Sequence, residues 1–183
     1  MPPGGPQPKT LDTMDIVIRT ASADEIPAIL DFVGKARADM FPMLDPKSHK
    51  KTVERELVSF KGTYLEHSNG AFLTARVDGR LIATIGYLNY DGRFPQLKFS
   101  HERVVEVVRL YVDPAWRRAG LASKLFTALE QTARQAGIKQ LYLHTHPFLT
   151  GARSFWERQG FSVLCVDEDP VWQTMHMSRL LEG

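Results

Sequence analysis

The chain has 183 residues, 43% of them hydrophobic and 24% charged, and carries a net charge of +2. That length favours one domain with an ordinary core, and so small a charge argues against a nucleic-acid partner. The one cysteine, Cys165, excludes an internal disulfide framework and fits a reducing, cytoplasmic compartment, while no apolar run approaches the roughly 18 residues that a membrane helix needs.

Residues 1–14 are rich in proline and glycine, lack the apolar stretch of a secretion signal, and read as a disordered arm ahead of a single domain at 15–183. β-Branched residues at 16–19 predict a short strand. Ser22 and Glu25 form a capping box, Pro27 is tolerated in a first turn, and Ile26, Ile29, Leu30 and Val33 recur at helical spacing, so a helix is expected to about Met40. Pro42 and Pro46 end it, and a second helix is expected over 47–60. Residues 71–77 and 81–90 read as a hairpin about Asp78-Gly79, followed by a loop at 91–95. The segment 103–112 has valines on both faces, as a central strand does. Leu121, Leu125, Leu129 and Ala133 form the apolar stripe of a helix that Gly137 ends. A strand within 138–146, a short helix over 150–159 closed by Gly160, and strands at 162–166 and 172–177 complete the chain. This order predicts an α/β or α+β sandwich with a mixed sheet.

The clearest chemistry lies where the central strand runs into the following helix. Leu110, Tyr111 and Val112 end the strand, Arg117, Arg118, Ala119 and Gly120 form a short basic loop, and Leu121, Ala122 and Ser123 open the helix. A small residue lets the backbone come close to phosphate. The first N–H groups of a helix have no partners of their own and point at an anion, and Arg117 and Arg118 add charge-assisted bonds. The pattern Arg117-x-x-Gly120-x-Ala122 resembles motif A of the GNAT superfamily, the acetyl-CoA-dependent N-acetyltransferases, whose pattern is Gln/Arg-x-x-Gly-x-Gly/Ala. The run from Ala152 through Trp156 to Gly160 and Phe161 is similar to the family's second landmark, usually Ala-x-x-x-Tyr-x-x-x-Gly-Phe. The two landmarks stand at the family's spacing, with one strand between them.

The resemblance implies a mixed, mostly antiparallel central sheet flanked by helices, with its central strands splayed. It implies acetyl-CoA as co-substrate, no metal, and a small-molecule or peptide amine as acceptor, handled by a monomer or homodimer. Leu110, Tyr111 and Val112 are then expected to give backbone bonds to the pantetheine arm, and residues 117–123 to wrap the pyrophosphate. A backbone N–H near Val112 is expected to polarise the thioester carbonyl, and the helices before residue 60 to border the acceptor. Most relatives have a tyrosine at position 156, whose hydroxyl protonates the departing thiolate. This chain has Trp156, whose indole N–H donates a hydrogen bond but is no acid at physiological pH. Trp156 is therefore expected to pack on the thioester arm or to bond near the sulfur, and a CoA-binding module without catalysis stays open as an alternative.

Two residues are candidate bases. Glu106 sits among Val104, Val105, Val107 and Val108, where desolvation raises a carboxyl's pKa towards the useful range. By the resemblance it matches the glutamate base of the histone-acetylating branch; a strand glutamate paired with Arg103 or Arg109 is the alternative. His144 shares a strand face with Tyr142 and His146. It lies twelve residues before Trp156, where the branch that acetylates protein N-termini has a catalytic glutamate. An imidazole of pKa about 6.5 suits removal of an amine proton, and a histidine that only shapes the acceptor pocket is the alternative. His144 and His146 suggest a metal only if folding adds Cys165, His176 or His101, and none is expected. Cys165 reads as a small buried hydrophobe. Asp39, Asp45, Glu102 and Glu106 suit a cationic acceptor, whereas Phe41, Tyr87 and Phe94 suit an aromatic one.

Overall fold

The structure, a computed structural model, describes residues 15–99, 103–117 and 119–181. The expected arm at 1–14 and the candidates Arg118, His101 and Glu102 lie outside the described residues. Seven strands form one mixed sheet: β1 (Ile16–Thr20), β2 (Ala71–Val77), β3 (Arg80–Asn89), β4 (Val104–Val112), β5 (Gln140–Thr145), β6 (Ser162–Val166) and β7 (Met175–Leu180). Their order is β1-β2-β3-β4-β5-β7-β6. Every neighbouring pair is antiparallel except β4 with β5.

Helices cover both faces, and the alternation of side chains along each strand divides the core accordingly. On one face α3 (Leu121–Gln135) and α4 (Ala152–Arg158) pack on the sheet; the predicted stripe Leu121, Leu125, Leu129 and Ala133 is buried there with Val105, Val107, Leu141 and Leu143. On the other, α1 (Ile26–Met40) buries Ile26, Ile29, Leu30 and Val33 with Phe60, Tyr64 and Phe72. Phe60 ends α2 (Pro46–Phe60), which runs on through a π-helical turn at Lys61–Leu65. Glu25 of the capping box accepts from the Ser22 N–H at 2.8 Å, and the helix begins with a 3-10 turn before α1.

The last strand differs from its expected bounds of 172–177. The Asp169 carboxylate accepts from the N–H groups of Val171 at 2.7 Å and Trp172 at 3.1 Å, which folds this stretch into a turn. The strand then starts at Met175 and runs along β5 to Leu180.

Two features of β4 shape the groove beside it. Pairing with β5 covers only Val104, Val105 and Glu106, opposite Gln140, Leu141 and Tyr142; beyond that the strands part, leaving the backbone edge of 107–112 open. Its pairing with β3 also slips, so that Tyr111 faces Thr84 while Val108 faces Gly86. Arg109 sits in this bulge at φ 58°, and its carbonyl accepts from the Thr84 hydroxyl at 2.8 Å. The bulge reverses the alternation: Val105 and Val107 face the α3 side before it, Leu110 and Val112 after it. Glu106 and Arg109 are thereby left towards α1 and α2.

Candidate active site

A groove of about 1250 Å³ opens where β4 and β5 separate. It is lined on one side by Leu110, Tyr111, Val112, Arg117, Ala122 and Trp156, and on the other by Arg37, Phe41, Glu106, Arg109, His144 and Trp172. Its size exceeds the roughly 300–1,000 Å³ of a pocket for one small ligand, and suits two substrates meeting.

On the first side the backbone is the main resource. Asp113 accepts from the Ala115 N–H at 2.9 Å and shapes a short 3-10 turn at Pro114–Trp116. The chain then reverses at Gly120, which precedes α3 with φ 80°, a conformation that any side chain would strain. The N–H groups of the first turn of α3 have no partner within the helix, and Arg117 and Ala122 beside them line the groove, an arrangement suited to a phosphate. Arg117 Nε donates to the Val112 carbonyl at 3.2 Å, so this side chain also braces the loop. The Leu121 side chain is buried in the core, leaving only its N–H for a ligand, and the Ser123 hydroxyl accepts from Gln159 at 3.1 Å. Ala119 and Gly120 offer backbone alone.

Trp156 is mostly buried, edge-on to Phe126, Phe155 and Phe161 at centroid distances of 5.6, 4.8 and 5.3 Å. It fills the core of α4 and shows one edge to the groove.

On the second side the side chains dominate. Glu106 is 3% exposed. Its partner is neither Arg103, which bonds Asn69 and the Ala136 carbonyl, nor Arg109, which pairs with Glu56 of α2. It is Arg93, from the loop after β3, whose Nη2 lies 2.8 Å from Oε1 and 3.0 Å from Oε2. Burial pushes the Glu106 carboxyl up, Arg93 pulls it back, and the net result lies above the ordinary carboxylate value. Arg93 also stacks on Phe94, 4.6 Å from its centroid, and bonds Asp91 at 3.2 Å.

His144 departs from its expected titration. Burial, with the positive charge of Arg93 and the neighbouring histidines His146 and His176, lowers its pKa to about 4. It is therefore neutral through the physiological range, and its conjugate acid is too strong to hold an amine proton. Its Nδ1 is buried without a hydrogen-bond partner among the described residues, which leaves it available to a ligand or water. Beyond His144 the rings of His146, Phe148, Phe41 and Trp172 form an aromatic wall, with centroids 5.3 to 6.4 Å apart.

The Acetyltransferase (GNAT) family model matches residues 33–161, well over half of the chain. The chain belongs to the GNAT family. The N-acetyltransferase YjgM of Escherichia coli, itself uncharacterized, is 37% identical over 70 residues, which are 38% of this chain and 42% of that protein. The match thus spans under half of that relative's length. Among solved structures, a GNAT acetyltransferase of Staphylococcus aureus superposes with a TM-score of 0.71 at 19% identity, covering 91% of this chain and 99% of that one. The PaiA N-acetyltransferase of Thermoplasma acidophilum, solved with coenzyme A, gives 0.68 at 18% identity over 92% of this chain and 100% of that one. The mixed, mostly antiparallel sheet expected from motif A is the fold these proteins share.

Within this GNAT fold the expected residues divide. Glu106, Leu110, Tyr111, Val112, Arg117, Ala122, His144 and Trp156 meet around one groove, although they come from four separate elements and the loop that holds Arg117. Of the acceptor candidates, Asp39 and Phe41 line it, Asp45 caps α2 instead by accepting from Lys47 N–H at 3.0 Å, and Tyr87 is buried in the core. Sequence reasoning misses Arg93, Arg37, Arg109 and Trp172. Arg93 stands in a segment readable only as a loop, and nothing in the local sequence marks Arg109 as a bulge. Among the described residues, which exclude His101, His144 and His146 gather no third ligand; His146 Nδ1 lies 3.3 Å from the Trp172 carbonyl. Among the described residues the group able to hold a metal is Cys165, Asp167 and His176. There both His176 nitrogens are already engaged, Nε2 donating to Asp167 at 3.1 Å and Nδ1 accepting from Tyr142 at 2.6 Å. No helix among the described residues is long and apolar enough to cross a membrane.

Proposed function

We propose that residues 15–183 form one N-acetyltransferase domain that moves an acetyl group from acetyl-CoA to a primary amine by direct attack. The observation that carries this reading is the buried Glu106 on the same strand, and in the same groove, as the open edge at 107–112. Acetyl-CoA supplies the acyl group as a thioester. The unpaired backbone of 107–112 pairs with the peptide-like pantetheine arm as a strand would. The turn at Gly120 and the N-terminus of α3 take the pyrophosphate, helped by Arg117 and Arg118. A backbone N–H of the open edge polarises the carbonyl oxygen.

Glu106 removes the ammonium proton, directly or through water, so that the amine attacks uncharged. Its elevated pKa suits this task, and the Arg93 ion pair keeps enough of it ionised. His144, neutral at this pH, accepts a hydrogen bond from the amine or the water and orients it. Trp156 packs beside the thioester arm, and the thiolate leaves without a phenolic acid. That last feature favours a second reading, a CoA-binding module without catalysis.

One experiment separates the two. Acetyl-CoA is incubated with the protein and a broad panel of primary amines, with thiol release followed and acetyl-CoA affinity measured by calorimetry. Acetyl transfer requires amine-dependent thiol release. Tight binding with no release by any amine would install the binding module.

A further inference from the structure

The acceptor half of the groove holds a guanidinium N–H for which no acceptor is present among the described residues. Arg93 is matched by Glu106 and Asp91. Arg37 and Arg109, in contrast, lie close enough to repel each other, and of their two charges only that of Arg109 has a partner, Glu56. Among the described residues no carboxylate or carbonyl accepts from Arg37. Its Nε is buried with no hydrogen-bond partner, and its guanidinium lies 6.0 Å from the centroid of the Phe41 ring. A buried guanidinium N–H with no acceptor is costly unless a ligand completes it.

Directly beside it stands the aromatic wall. Phe41 joins Arg37 to His146, Phe148 and Trp172, and Phe148 is 40% exposed although its neighbours are rings. Such a surface, open and facing a groove, suits a flat apolar group. The two demands, an anion and a ring, fall on adjacent residues, and the bulge at Arg109 puts both next to the open edge of β4.

Resting on the acetyl-transfer reading, we infer that the acceptor is an amine that also carries a carboxylate and an aromatic or similarly flat side chain, the carboxylate meeting Arg37 and the ring lying on Phe41 and Trp172. A planar carboxylate matches the fork of a guanidinium, which a lone alkyl amine cannot use. A polyamine offers no acceptor to the Arg37 guanidinium and no ring to Phe41 and Trp172. The bland alternative gives Arg37 a role only at the C-terminal turn of α1, where a cation is favourable.

The test uses the full chain and four amines: phenylalanine, phenethylamine, alanine and spermidine. These keep both groups, lose the carboxylate, lose the ring, or replace both by charge. Thiol release gives kcat/KM for each. In parallel, calorimetry measures binding of 3-phenylpropanoate, which has the acid and ring but no amine, to the CoA-loaded protein. Phenylalanine is expected to exceed the other three at least tenfold. Arg37→Met is expected to cut the preference for phenylalanine over phenethylamine at least tenfold and to weaken 3-phenylpropanoate by the same factor. Arg37→Lys should recover part of that binding, since the charge returns without the fork.

A preference for spermidine or phenethylamine, or 3-phenylpropanoate binding indifferent to Arg37, overturns the inference and leaves acetyl transfer intact. Equal loss on all four amines in Arg37→Met, unrelieved by lysine, assigns Arg37 to holding α1 and likewise overturns it. Arg37-dependent binding of 3-phenylpropanoate with no thiol release from any amine keeps the acid site and removes the acetyl-transfer reading. Neither binding nor release removes both.

Discussion

The two sides of the groove are built for recognition by different means. The side assigned to acetyl-CoA uses backbone: the open edge of β4 at 107–112, the positive-φ turn at Gly120, and the first N–H groups of α3. The acceptor side uses side chains drawn from α1, α2, the loop at 91–95 and the turn after Asp169. Backbone recognition needs only small residues at a fixed spacing, so it can be shared by proteins of low identity. Recognition by buried charge and rings depends on which residues the fold brings together from separate segments. Glu106 and His144, both on the second side, are displaced from their ordinary values.

The sharpest way to break this division is to alter one side and read both. Glu106→Gln should lower turnover by about 10²- to 10⁴-fold while leaving acetyl-CoA affinity near that of the unaltered protein. A parallel loss of affinity in calorimetry would show that the two sides are not separable. Next in size is Gly120→Glu, which puts a strained side chain and a negative charge at the helix start. Acetyl-CoA binding should weaken by at least about tenfold, roughly 1.4 kcal/mol, and unchanged affinity in the folded variant would remove this turn from the cofactor site.

Trp156 stands between the two sides. Trp156→Phe should cost about 1–2 kcal/mol in urea unfolding, through the space left between Phe126 and Phe161. It should retain much of the activity, and Trp156→Tyr should retain or raise it. Loss in phenylalanine with rescue in tyrosine would show instead that a polar donor is needed near the sulfur.

The smallest effect concerns His144. In the unfolded chain it takes up a proton at a pKa of about 6.5, but in the fold only at about 4. Between those values the unfolded state binds the extra proton, so stability falls as the pH drops through that window. His144→Gln should therefore shrink the fall in Tm between about pH 7 and about pH 5. A fall as large as in the unaltered protein would mean that His144 titrates normally.

How far the sequence could be read follows the same line. The helix stripe at Leu121, Leu125, Leu129 and Ala133, the hairpin at Asp78-Gly79 and the Gly120 turn are local patterns, and local patterns are legible one segment at a time. The burial of Glu106 was readable from its flanking valines, but its partner was not, because Arg93 reaches it from another strand's loop. The last strand starts at Met175 rather than at the expected 172, because the Asp169 carboxylate acts through backbone bonds that composition does not reveal. The low pKa of His144 arises first from burial and then from charges such as Arg93 and His176 on other segments, which no count along one strand can supply.

The central claim is that Glu106, raised by burial, is the base on the acceptor side. The most direct measurement is kcat/KM against pH for the unaltered protein, Glu106→Gln and His144→Gln, with one working acceptor. Activity should rise with pH through an acid limb set above the ordinary carboxylate value, because the base must be ionised. That limb should persist in His144→Gln and vanish in Glu106→Gln. An acid limb that survives unchanged in Glu106→Gln would contradict the account.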